Sequence, residues 1–173
     1  MGIMIQIREI DADDPVLLEQ AFTAQGWHKP AVQFKRYLHE HQSGKRVVLL
    51  AEYAGEFAGY LTIMWLSDYP PFREAGVPEV VDFNVLIKFQ RRGVGTRLMD
   101  EAERRIGARS GVAGIGFGLM HDYGAAQALY VRRGYVPDGR GVFAHGRWLN
   151  DGDQTTIDHD VALYLTKQLN APS

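Results

Sequence analysis

The order of patterns along this chain predicts the α/β class, an α+β sandwich in which helices flank one mixed sheet. Three observations carry that reading. Hairpin-like strand pairs stand toward both ends, strand and helix patterns alternate through the middle, and no repeat, low-complexity tract or linker divides the 173 residues. Residues 1–173 are read as one domain, a size at which a single hydrophobic core suffices.

Each element has its own signal. Ile3, Ile5 and Ile7 alternate with polar neighbours and predict a first strand. DADDPVLLEQAFTAQGW follows with aspartates placed to cap, Pro15 near a helix start and apolar residues at helical spacing. KPAVQFKRYLHEHQSG predicts a second helix closed by Gly44, and RVVLLAEYAGEFAGYLTIMWLS splits at Ala54-Gly55-Glu56 into a hairpin. SDYPPFREAGVPE is read as the longest loop of the first half, and VVDFNVLIKF, rich in β-branched and aromatic residues, as a buried strand. Val94, Leu98, Ala102 and Ile106 fall four apart with Met99 beside them, and charged residues take the other faces, which makes an amphipathic helix. AGIGFGLM predicts a strand, YGAAQALYVRRG a short helix capped by Gly134, and GVFAHGRW and DVALYLTKQL two closing strands. The polar stretch LNDGDQTTIDHD between the last two reads as a solvated connection, not a metal site.

Composition narrows the function classes. With 19 basic and 21 acidic residues the formal charge is −2, so no global field draws the chain to nucleic acid or to an anionic membrane. The absence of cysteine excludes disulfides, thiolate metal sites and cysteine nucleophiles. Gln6 and Arg8 interrupt the N-terminal apolar residues too early for a signal peptide, Gln6 stands where a myristoylation signal wants Ser or Thr, and no apolar run approaches the roughly 20 residues of a membrane span. A cytoplasmic protein is expected. The six histidines are scattered, and His39 and His41 diverge by about 200° on a helix, so no metal is expected.

In QRRGVG, Gly93 and Gly95 carry no Cβ, and the N–H groups of residues 92 to 96 open a helix without intrahelical partners. Such a terminus favours an anion, phosphate above all, and Arg91 and Arg92 add positive charge. A triphosphate-binding loop would need Lys-Ser or Lys-Thr after the glycines, which is missing. A dinucleotide fingerprint would need glycine where Leu98 stands. A plain strand-to-helix turn is the remaining structural reading.

QRRGVG at 90–95, followed by ALYVRRGYVPDG at 128–139, resembles the paired signatures of the GNAT superfamily of N-acetyltransferases. The resemblance covers nearly the whole chain. It implies a central, mostly antiparallel sheet with a splayed strand pair, acetyl-CoA as cosubstrate, and transfer of acetyl to a primary amine by direct attack in a ternary complex. Position by position, it implies that strand 80–88 opens near Val85, so that the backbone at Val85 and Ile87 bonds the pantetheine arm. Gln90, Arg91, Arg92, Gly93, Val94, Gly95 and Thr96 would take the pyrophosphate. Tyr130 would protonate the departing thiolate, and Glu79, eleven residues before Gln90, would deprotonate the amine through water. Tyr130 also reads as a core tyrosine and Glu79 as a loop carboxylate. Asp82, three positions beyond Glu79, should point to the opposite face and satisfy a buried donor or orient a loop. Tyr123 departs from the asparagine common at its position and would line the coenzyme path.

The acceptor, a small-molecule amine or a peptide or protein amine, is expected to meet residues 25–35, the 67–79 loop and the strands after Tyr135. Trp27, Tyr69, Phe72, Glu74 and Glu79 lie there. A homodimer is common among similar proteins. Two other readings stay open: an acyl-CoA-binding sensor that transfers nothing, and an unrelated nucleotide-binding domain.

Overall fold

The computed structural model describes residues 4–169; Ile3, read as part of the first strand, and the two ends of the expected 1–173 domain lie outside them. Among the described residues eight strands form one sheet in the order β1-β2-β3-β4-β5-β8-β6-β7. In chain order they are β1 Ile5–Glu9, β2 Arg46–Tyr53, β3 Glu56–Met64, β4 Glu79–Val85, β5 Val112–Gly118, β6 Val136–Ala144, β7 Arg147–Trp148 and β8 Val161–Gln168. Every neighbouring pair is antiparallel except β4 with β5.

Helices α1 (Asp14–Ala24) and α2 (Ala31–Gln42) cover one face, where Phe22 and Phe34 set their rings edge-on to Tyr60 at 5.7 and 5.4 Å. Helix α4 (Val94–Gly107) lies across β1 to β5 on the other, with Val94, Leu98, Met99, Ala102 and Ile106 all buried, as their spacing predicts. Helix α5 (Gly124–Arg132) stops before Gly134, whose φ of 91° suits glycine. Ala54 and Gly55 turn the first hairpin at φ 53° and 81°. No helix among the described residues is long and apolar enough to cross a membrane.

Four expectations are corrected. The 67–79 segment is not all loop: Pro70–Ala75 forms α3, opened by prolines that need no N–H partner there and stopped by left-handed Gly76. The strand read over 80–89 ends at Val85, because Leu86 donates to Ala58 O and the chain then bends into a 3₁₀ turn, Ile87–Phe89, that buries Phe89. GVFAHGRW is two strands, since His145 and Gly146 at φ 49° and 81° make the two-residue turn of a hairpin. At α1 the N-cap Asp13 makes no side-chain bond; Asp14 instead accepts the Asp11 amide at 2.7 Å and both Arg8 guanidinium nitrogens at 2.7 Å.

A bulge sets the geometry of β4. Tyr60 pairs with Asn84 and Thr62 with Val81, so Leu61 faces both Asp82 and Phe83, and Asp82 takes φ 54°. The extra residue overturns the strict alternation that put Glu79 and Asp82 on opposite faces. Glu79 shares its face with Met64 and Thr62, Thr62 Oγ1 accepts from Arg46 at 2.7 Å, and the Arg46 guanidinium covers the ring of Tyr37, which donates to Asp82. Both carboxylates point toward the α2 side.

Gly59 sits opposite Val85 beside this bulge, where an added Cβ would lie 2.5 Å from Asn84 O and 3.0 Å from Val85 Cα. Gly59→Ala should therefore lower stability by about 1–3 kcal/mol, the range for overpacking against backbone that cannot swing away. A urea midpoint equal to the parent's would show that β4 moves freely there.

Candidate active site

Between the 3₁₀ turn and α4, Arg91 and Gly93 adopt left-handed φ of 57° and 84°. Alternating hands turn successive amides toward one concavity. Gly93 is the N-cap and makes no side-chain bond, and among the described residues the N–H groups of Arg91 to Thr96 donate to no backbone carbonyl outside the helix and to no side chain. Arg91, Arg92 and Thr96 are exposed, whereas Val94 is buried and offers only its backbone. Gly95 permits the turn to sit on β4, since a Cβ there would lie 3.1 Å from the Phe83 ring. Gln90 folds its side chain back to donate to Val85 O at 3.3 Å. Ile87 has both backbone groups engaged, its amide with Gln25 Oε1 at 3.0 Å and its carbonyl with the Gln90 amide at 3.2 Å, so its exposed side chain is what faces outward.

Strands β4 and β5 stay paired only at Glu79↔Gly114 and Val80↔Ile115. The splay begins after Val80, earlier than the expected point near Val85. Tyr130, on α5, reaches toward the gap, its ring 6.4 Å from both Phe83 and Phe117. Burial pushes its hydroxyl pKa up, with Tyr123 adding to the effect, and the hydroxyl has no hydrogen-bond partner among the described residues. Tyr123 follows β5 in a 3₁₀ turn, lies flat on Gly118 and holds its hydroxyl 3.4 Å from His159 Nδ1. Burial raises its pKa as well, reinforced by the charges of Asp122 and Asp82. The structure thus brings together the glycine turn, the open edge of β4, Tyr123 and Tyr130, residues drawn from positions 81 to 130.

The two carboxylates differ. Glu79 is 8% exposed, and burial pushes its pKa up to about 7 although the Ser67 hydroxyl, which donates to Oε2, pulls the other way. Asp82 is also removed from water, which opposes its charge, but Lys29 at 3.0 Å and the tyrosine hydroxyls outweigh this and hold it below the usual range. Its other donors are Gln33 and Tyr37 at 3.0 Å, Tyr60 at 2.5 Å and Asn84 at 2.7 Å. Asp82 satisfies buried donors, as one of its two readings held.

Sequence reasoning missed Ser67, which also accepts the Tyr69 amide at 3.0 Å and is pinned through its carbonyl by Arg73 at 2.8 Å. It also missed the use of the β5 glycines. Phe72 covers Gly114, Tyr164 covers Gly116 and Tyr123 covers Gly118, and the alternation of GIGFG was the available signal. Beyond them a pocket of about 360 Å³ is lined by Asp68 and Tyr69, by Phe143, His145 and Gly146, and by His159, Asp160, Ala162 and Tyr164. It draws on two of the three regions expected to meet the acceptor; the third sends Lys29 to Asp82, while Glu74 is exposed and outside the lining. The stretch read as a solvated connection brings Asp158 and Asp160 to His145, with ligand atoms of the three within 4.8 Å of one another, a grouping of the kind that can hold a metal ion.

The acetyltransferase (GNAT) family model matches residues 6–135. No curated protein matches the sequence. Among solved structures, yncA from Salmonella typhimurium, determined with its cofactor acetyl-CoA, is 19% identical with a TM-score of 0.65 and covers 96% of this chain and 94% of its own. Ribosomal-protein-alanine N-acetyltransferase from Brucella melitensis is 18% identical with a TM-score of 0.69, covering 95% and 99%. The Salmonella typhimurium acetyl transferase that modifies the N-terminal serine of ribosomal protein L7/L12 is 14% identical with a TM-score of 0.70, covering 96% and 95%. At such identities the likeness is one of fold.

The raised pKa of Glu79 has a consequence for stability. The unfolded chain ionises near the ordinary 4.5 and the folded one near 7, so the advantage of the neutral form is complete below about 4.5 and is lost as pH rises through 7. Glu79→Gln should remove this dependence and leave the variant more stable than the parent at pH 8 by up to about 3 kcal/mol. Urea denaturation of both proteins at pH 5 and pH 8 measures it; a parent no less stable at pH 8 would contradict the buried setting.

Proposed function

The chain belongs to the GNAT family of acetyltransferases, and on that premise we propose that it is a cytoplasmic, single-domain enzyme that transfers the acetyl group of acetyl-CoA to a primary amine in a ternary complex. One observation carries the reading: the free amides of Arg91 to Thr96 adjoin the strand edge that β4 exposes where it leaves β5, with Tyr130 over the gap.

The fit of the cosubstrate rests on that backbone. Several converging N–H groups, the positive end of α4 and the Arg91 and Arg92 side chains suit a pyrophosphate, and Gly93 and Gly95 put no Cβ in its way. Val81 to Val85 are only half-buried and have β3 on one side alone, so their outer edge can bond an extended chain as a neighbouring strand would. Acetyl-CoA supplies the activated acetyl group, and every other function falls to the residues around it.

Glu79 acts as the base. A carboxylate poised near 7 accepts a proton at neutral pH far better than Asp82, which is held ionised by Lys29 and committed to five donors. Its proton comes from the amine, through water or the Ser67 hydroxyl. Tyr130 acts as the acid, since burial keeps its hydroxyl protonated and no acceptor among the described residues claims it. A thiol with a reference pKa near 8.5 leaves readily, so this assistance belongs to the modest end of general-acid effects. Positioning of the two reactants supplies more, on the order of 7–11 kcal/mol. A non-catalytic acyl-CoA sensor would need the same turn and splay, but not a Glu79 tuned toward neutrality.

Calorimetric titration with acetyl-CoA, coenzyme A, ATP and NAD tests the premise, with micromolar acetyl-CoA binding, about −8 kcal/mol, and much weaker ATP and NAD as the expected outcome. Tyr130→Phe should retain that binding and lose about 10²-fold in acetyl-CoA-dependent thiol release. Unchanged turnover would remove Tyr130 from the mechanism. In the parent, kcat/KM should rise with pH through about 7 as Glu79 ionises, and Glu79→Gln should abolish that limb along with most of the rate.

A further inference from the structure

We propose that the acceptor is a small amine bearing a second positive charge, which sits in the pocket between Asp68 and Asp160 while its reacting nitrogen reaches toward Glu79. This rests on the transferase reading above and adds to it the class of substrate.

The pocket is preformed. Tyr69 stacks on Tyr164 with ring centroids 3.6 Å apart and planes within 1°, and Phe143 meets Tyr69 edge-on at 5.2 Å. Tyr69 is anchored at its far end by its hydroxyl, which donates to Asp138 at 2.7 Å. Tyr164 lies on bare Gly116, where a Cβ would come within 2.8 Å of its ring. Stacking and these anchors hold the wall rigid, so the pocket keeps its shape before a ligand enters, and carboxylates stand at its rim.

Charge points the same way. Among the described residues no lysine or arginine lines the pocket, while Asp68 and Asp160 do, with side chains 92% and 77% exposed. Asp158 adds a third carboxylate 3.5 Å from His145 Nε2. Arg73 approaches Asp68 from outside at 3.1 Å, but both partners are exposed, and such pairs exchange readily for a better one. Among the described residues the Asp160 carboxylate has only His145 Nδ1, at 3.8 Å.

The pocket is also coupled to Glu79. Asp68 follows directly on Ser67, whose hydroxyl donates to Glu79, and the Asp68 charge helps raise the Glu79 pKa. Tyr164, in the wall, feels the charge of Glu79 in turn. A single ammonium cannot serve both places. The reacting nitrogen must shed its charge beside a carboxylate sealed behind Ser67, whereas Asp68 and Asp160 stand in solvent at the mouth and are best matched by a cation that stays charged. In the transfer itself Glu79 first takes the ammonium proton and passes it to solvent. The nitrogen–carbon bond then forms as the carbon–sulfur bond breaks, and the remaining proton to be lost from nitrogen passes to Glu79. The thiolate takes the Tyr130 proton, and the proton on Glu79 returns to Tyr130 through water. The second charge takes no part in these steps and sets affinity alone.

The test compares amines of one length under saturating acetyl-CoA: a terminal diamine, its analogue with hydroxyl in place of the second amine, the analogue with carboxylate, and a short peptide with a free N-terminus. The diamine should exceed the hydroxyl analogue about tenfold in kcat/KM, chiefly through KM, with the carboxylate analogue weakest. Asp68→Asn combined with Asp160→Asn should bring the ratio of diamine to hydroxyl analogue near unity; because both positions are exposed, a matching urea midpoint is expected and separates this from misfolding. Equal use of diamine and hydroxyl analogue, preference for the peptide, or a ratio untouched by the double variant would overturn the proposal. Lack of acetyl-CoA binding would overturn the transferase reading instead, and calorimetric titration of the diamine and hydroxyl analogue alone would then still decide whether the pocket selects a second charge.

Discussion

The site depends on one constraint, that β4 must leave β5 after two rungs and yet remain a strand. Backbone groups on an unpaired interior edge are costly unless something satisfies them, so the parting persists only where the surroundings enforce it. The bulge at Asp82 does so. It inserts a residue opposite Leu61, holds a left-handed φ of 54° that L side chains adopt at a cost of roughly 1–2 kcal/mol, and tilts the rest of the strand away. An aspartate tolerates that conformation better than most residues, and five donors from α2, the turn before it, β3 and β4 tie its carboxylate in place. Gly59 completes the arrangement by letting β3 follow the bent partner at close range.

The same bulge explains how one short strand carries two carboxylates of opposite character. Both face the α2 side, and both are largely withdrawn from water. Asp82 gains a cation and several neutral donors, whereas Glu79 gains one hydroxyl and the distant Arg46. Desolvation acts alike on the two, so partners decide which remains ionised and which is left near neutrality. A strand with ideal alternation would have sent one of them into the α4 side, among Leu98 and Met99, where neither partner set exists.

Much of this was legible in the sequence. The apolar spacing of α4, the Ala54-Gly55 turn, the Gly134 cap and the QRRGVG turn are local signals, and each was read where it stands. What was missed depends on contacts between distant segments. No local pattern separates an aspartate in a bulge from one in a regular strand, because the bulge is a relation between β3 and β4. The two-residue turn at His145-Gly146 lacks the usual Asn-Gly or Asp-Gly signature and hides inside an apolar run. Ser67 is an ordinary turn residue until Glu79 is folded against it. The QRRGVG turn was visible for the opposite reason: its free amides belong to its own backbone.

The GIGFG alternation shows how a weak local signal acquires meaning. Its glycines leave one side of β5 bare, and three aromatic rings from three different segments fill the vacancy: Phe72 from α3, Tyr164 from β8 and Tyr123 from the turn before α5. Ile115 and Phe117 on the other side join the apolar core, so β5 is half core and half shelf. The shelf links the part of the chain that the family match covers to the part beyond it. Glu79, the glycine turn and Tyr130 fall within residues 6–135, whereas Phe143, Asp160 and Tyr164 fall after it. The turn, Glu79 and Tyr130 on one hand and the Phe143, Asp160 and Tyr164 walls of the pocket on the other therefore come from separate parts of the chain, joined through the bare strand that seats the aromatic rings. A methyl group at Gly116 would press on Tyr164 and, through the stacking of Tyr164 on Tyr69, on Tyr69 as well, reaching the pocket walls without touching the QRRGVG turn.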